Sequence, residues 1–187
     1  MVERAIQESG RDRFWGPPEY GFLERQTARP TLEVNGVFGG YQGAGNKTII
    51  PAQAGFKVSM RLVPNQDPED IGRKFVDFIR SFACDTLDIQ AETMAPSWPV
   101  EVLFEGPAID ALQRAVLESW GKPVMLYPAG GSIPVMSMFQ RHLGMPITNL
   151  GFGNGENIHS PNEFNRLKYY YLGIETAIRF YHYIAEI

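Results

Sequence analysis

Two early segments of the chain alternate apolar and polar side chains, and this pattern constrains the fold more than any other feature of the sequence. The segments are residues 31–38 (Thr-Leu-Glu-Val-Asn-Gly-Val-Phe) and 54–62. Alternation with a period of two is typical of half-buried β-strands, whose successive side chains point to opposite faces. The second segment places four apolar residues on one face: Phe56, Val58, Met60 and Leu62. A glycine-rich stretch, residues 39–45, separates the segments and can turn the chain back, so we predict an antiparallel pair.

A helix is predicted after the second strand. Asp67 is suited to the N-cap and Pro68 to the first helical position. The apolar residues that follow recur at helical spacing and predict its core face: Ile71, Phe75, Phe78, Ile79 and Phe82. Residues 87–94 alternate again and predict a third strand. Strand, strand, helix and strand make up most of a ferredoxin-like β-α-β-β-α-β layer without its opening strand and helix. Such a partial layer leaves a sheet face and an edge uncovered, and we expect another chain or further sequence to cover them.

The remaining segments predict a second, different architecture. The first 30 residues contain a Pro-Pro pair and are predicted to be a connection outside regular structure. From about residue 100, helices are predicted at 107–120, 133–141 and 167–187, and short strands at 124–127 and 147–150. Alternation of helices and apolar strands is typical of α/β domains with parallel pairing. We therefore expect a chain of mixed α+β and α/β class with two domains, 1–100 and 101–187.

The composition narrows the functional classes. The chain has 187 residues, 44% of them hydrophobic, and a net charge of −4, which is typical of a folded protein rather than a disordered one. The negative net charge argues against nucleic-acid binding, because such binding requires clustered Lys and Arg, and the sequence has no such cluster. No apolar run approaches the length of about 18 residues that a membrane-spanning helix needs. The single cysteine, Cys84, predicts a reducing, cytoplasmic setting and a buried structural thiol rather than a nucleophile.

His159 is the strongest candidate for chemistry. It is one of three histidines and lies in the glycine-rich segment 151–163, before a proline, so its imidazole is predicted to be exposed. Imidazole is the commonest protein ligand for transition metals and the commonest general base. A catalytic metal site needs about three protein ligands, and neither His142 nor His182 is placed to complete one. Glu156 and Glu163 flank His159 and are either groups that orient the histidine or solubilising loop residues, and the sequence is consistent with both.

Three other segments carry polar groups suited to binding. Gly131 and Ser132 precede a predicted helix, where the hydroxyl and backbone N–H groups either hold a carboxylate or simply cap the helix. Arg61 is either a bidentate clamp on a substrate carboxylate or a solvated strand residue. Thr48 ends a segment, 40–48, that resembles a phosphate-binding loop. Asn46 interrupts that pattern and no helix follows, which argues against nucleotide binding and favours a strand connection.

Several blocks together resemble a known family. They are Arg29–Gly36, Lys47–Ala52, Arg61–Pro68, Gly130–Pro134 and His159–Glu163. In this order they resemble the zinc aminoacylase and carboxypeptidase family of metallopeptidases, and most closely its branch of carnosinases and cytosolic nonspecific dipeptidases. The resemblance runs from about Thr27 to the C-terminus. It implies a partial ferredoxin-like lid, through which such enzymes dimerise, followed by the C-terminal part of an α/β zinc-peptidase catalytic domain.

The resemblance also implies roles for individual residues. His159 matches the family's C-terminal metal ligand, and Ser132, beside Gly131, matches the serine that contacts the substrate's terminal carboxylate. Arg61 and Thr48 match lid residues that reach the substrate, in many members across the dimer. The remaining ligands of the two zinc or manganese ions and the general-base glutamate correspond to sequence upstream of this chain, so no catalytic residue is expected within it.

The function implied is that of the C-terminal fragment of a metal-dependent peptidase. The complete enzyme is expected to hydrolyse small peptides or amidated amino acids with a metal-activated water, and this chain alone is expected to be inactive. Ala129 stands where many relatives have an acidic residue, which leaves the substrate preference open. The alternative function is a stand-alone, non-catalytic module for dimerisation or carboxylate binding.

Overall fold

The computed structural model describes residues 2–94, 96–130, 133–152, 155 and 157–187. Its helices and strands are α1 (Val2–Ser9), α2 (Phe22–Thr27), β1 (Thr31–Gly39), β2 (Ala54–Arg61), α3 (Pro68–Arg80), α4 (Pro107–Trp120), α5 (Pro134–Leu143) and α6 (Leu167–Ile184). The chain divides into a first unit, Met1–Val100 with Pro128–Ser137, and a second unit, Glu101–Tyr127 with Met138–Ile187. None of the described helices combines the length and the apolar character that crossing a bilayer requires.

The predicted strand pair is confirmed, with one irregularity. β1 and β2 pair antiparallel from Thr31 opposite Arg61 to Gly39 opposite Ala54. The register shifts between Val34, which faces Val58, and Gly36, which faces Lys57. Asn35 is therefore the extra residue of a β-bulge.

The bulge determines which side chains share a face. Val37 lies three residues after Val34, so a regular strand would put the two on opposite faces. In this ladder Val37 faces Phe56 and Val34 faces Val58, and residues directly opposite one another share a face. The hairpin therefore has one apolar face, which we call the apolar sheet face: Leu32, Val34, Val37, Phe56, Val58 and Met60. Most of it is exposed, with Val37 at 78%.

Helix α3 begins as predicted. The side chain of Asp67 accepts hydrogen bonds from the N–H groups of Glu69 at 2.8 Å and Asp70 at 3.3 Å, and Pro68 is the first helical residue. The predicted core face is covered only in part. Ile71, Phe75 and Ile79 are half-buried, whereas Phe78 and Phe82 are more than half exposed.

The prediction of a third strand is wrong for the described part of 87–94. That segment contributes only an isolated bridge between Leu87 and Cys84. The segment lies beside α3, where Arg80 Nη2 donates to the carbonyl of Ala91 at 2.8 Å. A strand requires a neighbour with which to exchange hydrogen bonds, and the described sheet consists of β1 and β2 alone.

The prediction that Cys84 is buried is also wrong. Its side chain is exposed, because it lies in the tight turn that follows α3. Its Sγ lies 3.5 Å from Oγ1 of Thr86, and this side-chain hydrogen bond lowers the pKa of the Cys84 thiol.

Helices α4 and α6 form the core of the second unit. The buried residues of α4 are Ile109, Ala111, Leu112 and Ala115. The indole Nε1–H of Trp120 donates to Oγ1 of Thr176 on α6 at 2.9 Å, and that hydroxyl donates to the carbonyl of Leu172 at 2.7 Å. Thr176 is fully buried, so this bonded pair satisfies polar groups that burial would otherwise destabilise. Leu117, on the same helix, is 51% exposed.

Three further predictions are corrected. Residues 124–127 and 147–150 do not form strands. Met125 and Tyr127 are largely exposed, and buried parallel strands need neighbours on both sides. The first 30 residues contain α1 and α2 rather than only a connection. The predicted helices α4, α5 and α6 are confirmed, with α6 ending at Ile184, and so is the mixed α/β class.

Candidate metal and substrate site

His159 is carried on a closely hydrogen-bonded turn. The N–H of Ser160 donates to the carbonyl of Asn157 at 2.8 Å, and the side-chain amide of Asn157 reaches the carbonyl of Asn162 at 3.5 Å. The N–H of His159 itself donates to Oε2 of Glu163 at 3.3 Å. The His159 side chain is exposed, as predicted. The turn therefore presents an accessible imidazole.

The backbone of this turn is unusual in its handedness. Asn157, His159 and Asn162 have positive φ angles of 59°, 64° and 62°. Residues other than glycine adopt this left-handed region infrequently, although Asn and His are enriched in it. The conformation persists only where surrounding bonds hold it in place, and the contacts within residues 157–163 are such bonds.

The described residues fit one position of a metal site but not a complete one. An accessible imidazole has the donor chemistry that zinc accepts. Among the residues that the structure describes, no group of three or more His, Cys, Asp or Glu side chains is placed to hold a metal ion. A catalytic zinc site takes about three protein ligands, so we derive no catalytic step from a metal held by these residues alone.

The two predicted lid residues lie in the β1–β2 hairpin. Arg61 is the last residue of β2, faces Thr31 in the ladder and is exposed. Thr48 lies in the connection that joins the other end of the hairpin. It is the central residue of a three-residue turn, closed by the N–H of Ile49 and the carbonyl of Lys47 at 2.9 Å, and its side chain is exposed.

The predicted carboxylate-binding pair, Gly131 and Ser132, lies outside the described residues, as does Glu156. The residues that flank the pair are described. Pro134 is the first residue of α5. Gly130 lies so close to the carbonyl oxygen of Gln26 that any Cβ at position 130 would overlap it. The sequence does not reveal this contact, since a lone glycine does not show which backbone it approaches.

Comparison with known proteins finds metallopeptidases to which this chain is similar. Residues 4–84 match the peptidase dimerisation domain of the M20 type. The chain is 29% identical to the Cys-Gly metallodipeptidase DUG1 of Candida albicans, in an alignment that covers 99% of this chain and 39% of that protein. It is 26% identical to the Beta-Ala-His dipeptidase of Rattus norvegicus, over 87% of this chain and 34% of that one.

A solved structure supports the same relationship. A metallo-carboxypeptidase of the M20 family from Sulfolobus solfataricus superposes with a TM-score of 0.79 at 27% identity, over 96% of this chain and 41% of that one. The resemblance to dipeptidase-type metallopeptidases, recognised from the sequence blocks, is therefore confirmed. The chain spans about two fifths of the length of the DUG1 relative and of this solved structure.

Proposed function

We propose that this chain is the C-terminal part of a metal-dependent peptidase of the dipeptidase type. The observation that carries the proposal is the similarity to a Cys-Gly metallodipeptidase over 99% of this chain. The accessible imidazole of His159 on its hydrogen-bonded turn is consistent with the proposal. The complete enzyme would act on small peptides or amidated amino acids.

Each predicted site residue has a role in this proposal. His159 is one metal ligand. Ser132 and Gly131, next to the start of α5, bind the substrate's terminal carboxylate with a hydroxyl and backbone N–H groups. Arg61 provides a planar guanidinium suited to bidentate contact with a carboxylate, and Thr48 provides a further hydroxyl at the exposed turn of the hairpin connection.

The metal requirement of the complete enzyme is part of the same proposal. A pair of divalent ions, zinc or manganese, would supply the activated water for hydrolysis. The site residues proposed above include neither the other metal ligands nor the general base. We therefore expect the chain alone to bind no catalytic metal pair and to hydrolyse nothing.

The proposal includes a partner and a setting. The match of residues 4–84 to a peptidase dimerisation domain supports a homodimer formed through the lid. The apolar sheet face is largely exposed, which supports contact with further protein. A reducing, cytoplasmic setting accords with a sequence that has one cysteine.

The first test is an assay of the 187-residue chain. Cys-Gly and β-Ala-His are supplied with zinc or manganese, and the release of free amino acids is measured. We expect no hydrolysis above the blank, because one imidazole does not complete a metal site. Metal-dependent hydrolysis that disappears in His159→Ala would overturn the expectation of inactivity.

The second test uses the complete polypeptide that contains this chain. His159→Ala is expected to lower its metal content and to reduce hydrolysis by at least about 100-fold. Loss of a group that only supports a metal ligand reduces activity by up to about 100-fold, and loss of the ligand itself should cost at least as much. His142→Ala is the matched control and should leave both unchanged. If His159→Ala also leaves the metal content and the hydrolysis unchanged, the metal-ligand role of His159 is wrong. This chain is then better interpreted as a non-catalytic module for dimerisation or carboxylate binding.

A further inference from the structure

Glu163 makes a main-chain contact that its position in the sequence does not reveal. Its Oε2 accepts the backbone N–H of His159 at 3.3 Å. His159 is in the left-handed conformation, with φ at 64°. The carboxylate of Glu163 is thus bonded to the backbone of a residue whose conformation is uncommon for residues other than glycine.

The other two left-handed residues of the turn have a different means of support. Asn157 and Asn162 have short polar side chains, which tolerate this region because they hydrogen-bond locally. The Asn157 amide does so with the carbonyl of Asn162 at 3.5 Å. His159 has a larger ring that is exposed. Its backbone is restrained by the turn bond from the N–H of Ser160 to the carbonyl of Asn157, and by the bond from its own N–H to the Glu163 carboxylate. A carboxylate acceptor makes this bond stronger than one between neutral groups.

The backbone conformation of His159 decides where its imidazole points. A change from positive to negative φ rotates the Cα–Cβ bond relative to the preceding chain, and no side-chain rotamer fully compensates for that rotation. We propose that Glu163 is a positioning residue, which holds His159 in the left-handed conformation and so sets the direction of the imidazole. The proposal rests on the proposed function only where it treats His159 as a metal ligand.

The test compares Glu163→Ala with Glu163→Gln in the 187-residue chain by NMR. A positive φ brings the amide and α protons of one residue close together, so it produces a strong intraresidue NOE. Hydrogen exchange of the His159 amide reports the bond itself. We expect Glu163→Ala to weaken the NOE of His159 and to raise its exchange rate about fivefold, the factor that corresponds to a hydrogen bond of about 1 kcal/mol.

The conservative variant and a distant variant keep the test specific. Glu163→Gln retains an oxygen acceptor and should preserve both signals at His159. Glu105→Ala removes an exposed glutamate from the same unit and should change neither. Resonances of α4 and α6 that stay in place in all three variants will show that the unit is folded. If Glu163→Ala leaves the NOE and the exchange rate of His159 unchanged, Glu163 is only a solubilising loop residue and the proposal is wrong.

The two proposals fail separately. If the NMR signals respond as expected but His159→Ala leaves the metal content of the complete enzyme unchanged, Glu163 still positions residue 159 while the ligand role is lost. If the metal content falls but the NMR signals do not respond, His159 remains a ligand whose orientation does not depend on Glu163.

Discussion

At the scale of single residues, Gly130 shows how a missing side chain positions a candidate binding segment. It directly precedes Gly131 and Ser132, the pair proposed to bind a carboxylate. The carbonyl oxygen of Gln26 occupies the space that a Cβ at position 130 would need. A backbone can approach another this closely only where no side chain intervenes.

We predict that Gly130→Ala destabilises the chain. The added methyl group must displace the backbone at Gln26, and forced overpacking of this kind costs roughly 1–3 kcal/mol. Urea denaturation measures the change in the free energy of unfolding. The control is Gly151→Ala, where a Cβ would meet open space, and this variant should be as stable as the original chain. Equal stability of the two variants would contradict the predicted overlap.

The sequence identifies some residues of the candidate site but not their supports. His159 is recognisable from its residue type and its glycine-rich surroundings, and its exposure is confirmed. The bond from its N–H to Glu163 depends on a φ angle, which residue identity does not specify. For the same reason, the sequence is equally consistent with a positioning and a solubilising role for Glu163.

At the scale of elements, the start of α3 combines several local signals. The Asp67 carboxylate accepts two backbone N–H groups that have no partner within the helix. Pro68 follows at the first helical position. An N–H group there would have no partner within the helix, so the lack of one in proline does not reduce stability. These contacts lie within four consecutive residues, so the short segment specifies the helix start by itself.

We predict that Asp67→Ala lowers the free energy of unfolding by about 1 kcal/mol, the usual effect of removing an N-cap. Chemical denaturation followed by circular dichroism checks this value. Asp67→Asn is the matched control, because asparagine caps helices about as well as aspartate. A loss of stability in Asp67→Asn as large as in Asp67→Ala would show that the charge, rather than the cap, stabilises α3.

Helices were predicted better than strands, and the physical reason is locality. A helix satisfies its hydrogen bonds within one segment, so α3, α4, α5 and α6 could be located from spacing and capping residues. A strand satisfies them with another segment. In the hairpin, β1 and β2 are neighbours in the sequence and pair with each other, and this pair was predicted correctly. Segments 87–94, 124–127 and 147–150 have strand-like sequences but no ladder in the described structure.

At the scale of the whole molecule, a charged network joins the two principal helices of the second unit. Glu118 on α4 accepts hydrogen bonds from Arg114 at 3.2 Å and from Arg179 on α6 at 2.9 Å. It also accepts one from the hydroxyl of Tyr183. The bond from Tyr183, followed by those from the arginines, lowers the pKa of the Glu118 carboxyl.

This lowered pKa predicts a pH dependence of stability. An unfolded glutamate binds its proton at about pH 4.3, whereas folded Glu118 stays ionised to lower pH. The stability that ionised Glu118 contributes is therefore complete above the unfolded pKa and is lost as the pH falls through the folded pKa. We expect Glu118→Gln to be less stable than the original chain at pH 7, and the difference between them to shrink as the pH falls below the unfolded value of about 4.3. Urea midpoints across this range test the prediction, with Glu105→Gln as the control. A difference in stability that stays constant as the pH falls would contradict it.

The features that depend on distant residues or on other chains are the hardest to predict from short sequence segments. The resemblance to the metallopeptidase family could be recognised because five short blocks occur in that family's order along the chain. The other ligands that a metal site requires could not be identified within the chain. The exposure of the apolar sheet face and of Phe78 likewise depends on what packs there, which the residues themselves do not encode.

The bulge at Asn35 has a consequence for sequence comparison. Because the register shifts at this residue, the two halves of β1 are out of phase with each other. An ungapped alignment to a hairpin without the bulge would match Leu32 and Val34 correctly and place Val37 among residues of the opposite face. Such a relative must be aligned with a one-residue gap at position 35. A homology model built without the gap would place the side chains of the second half of β1 on the wrong faces of the sheet.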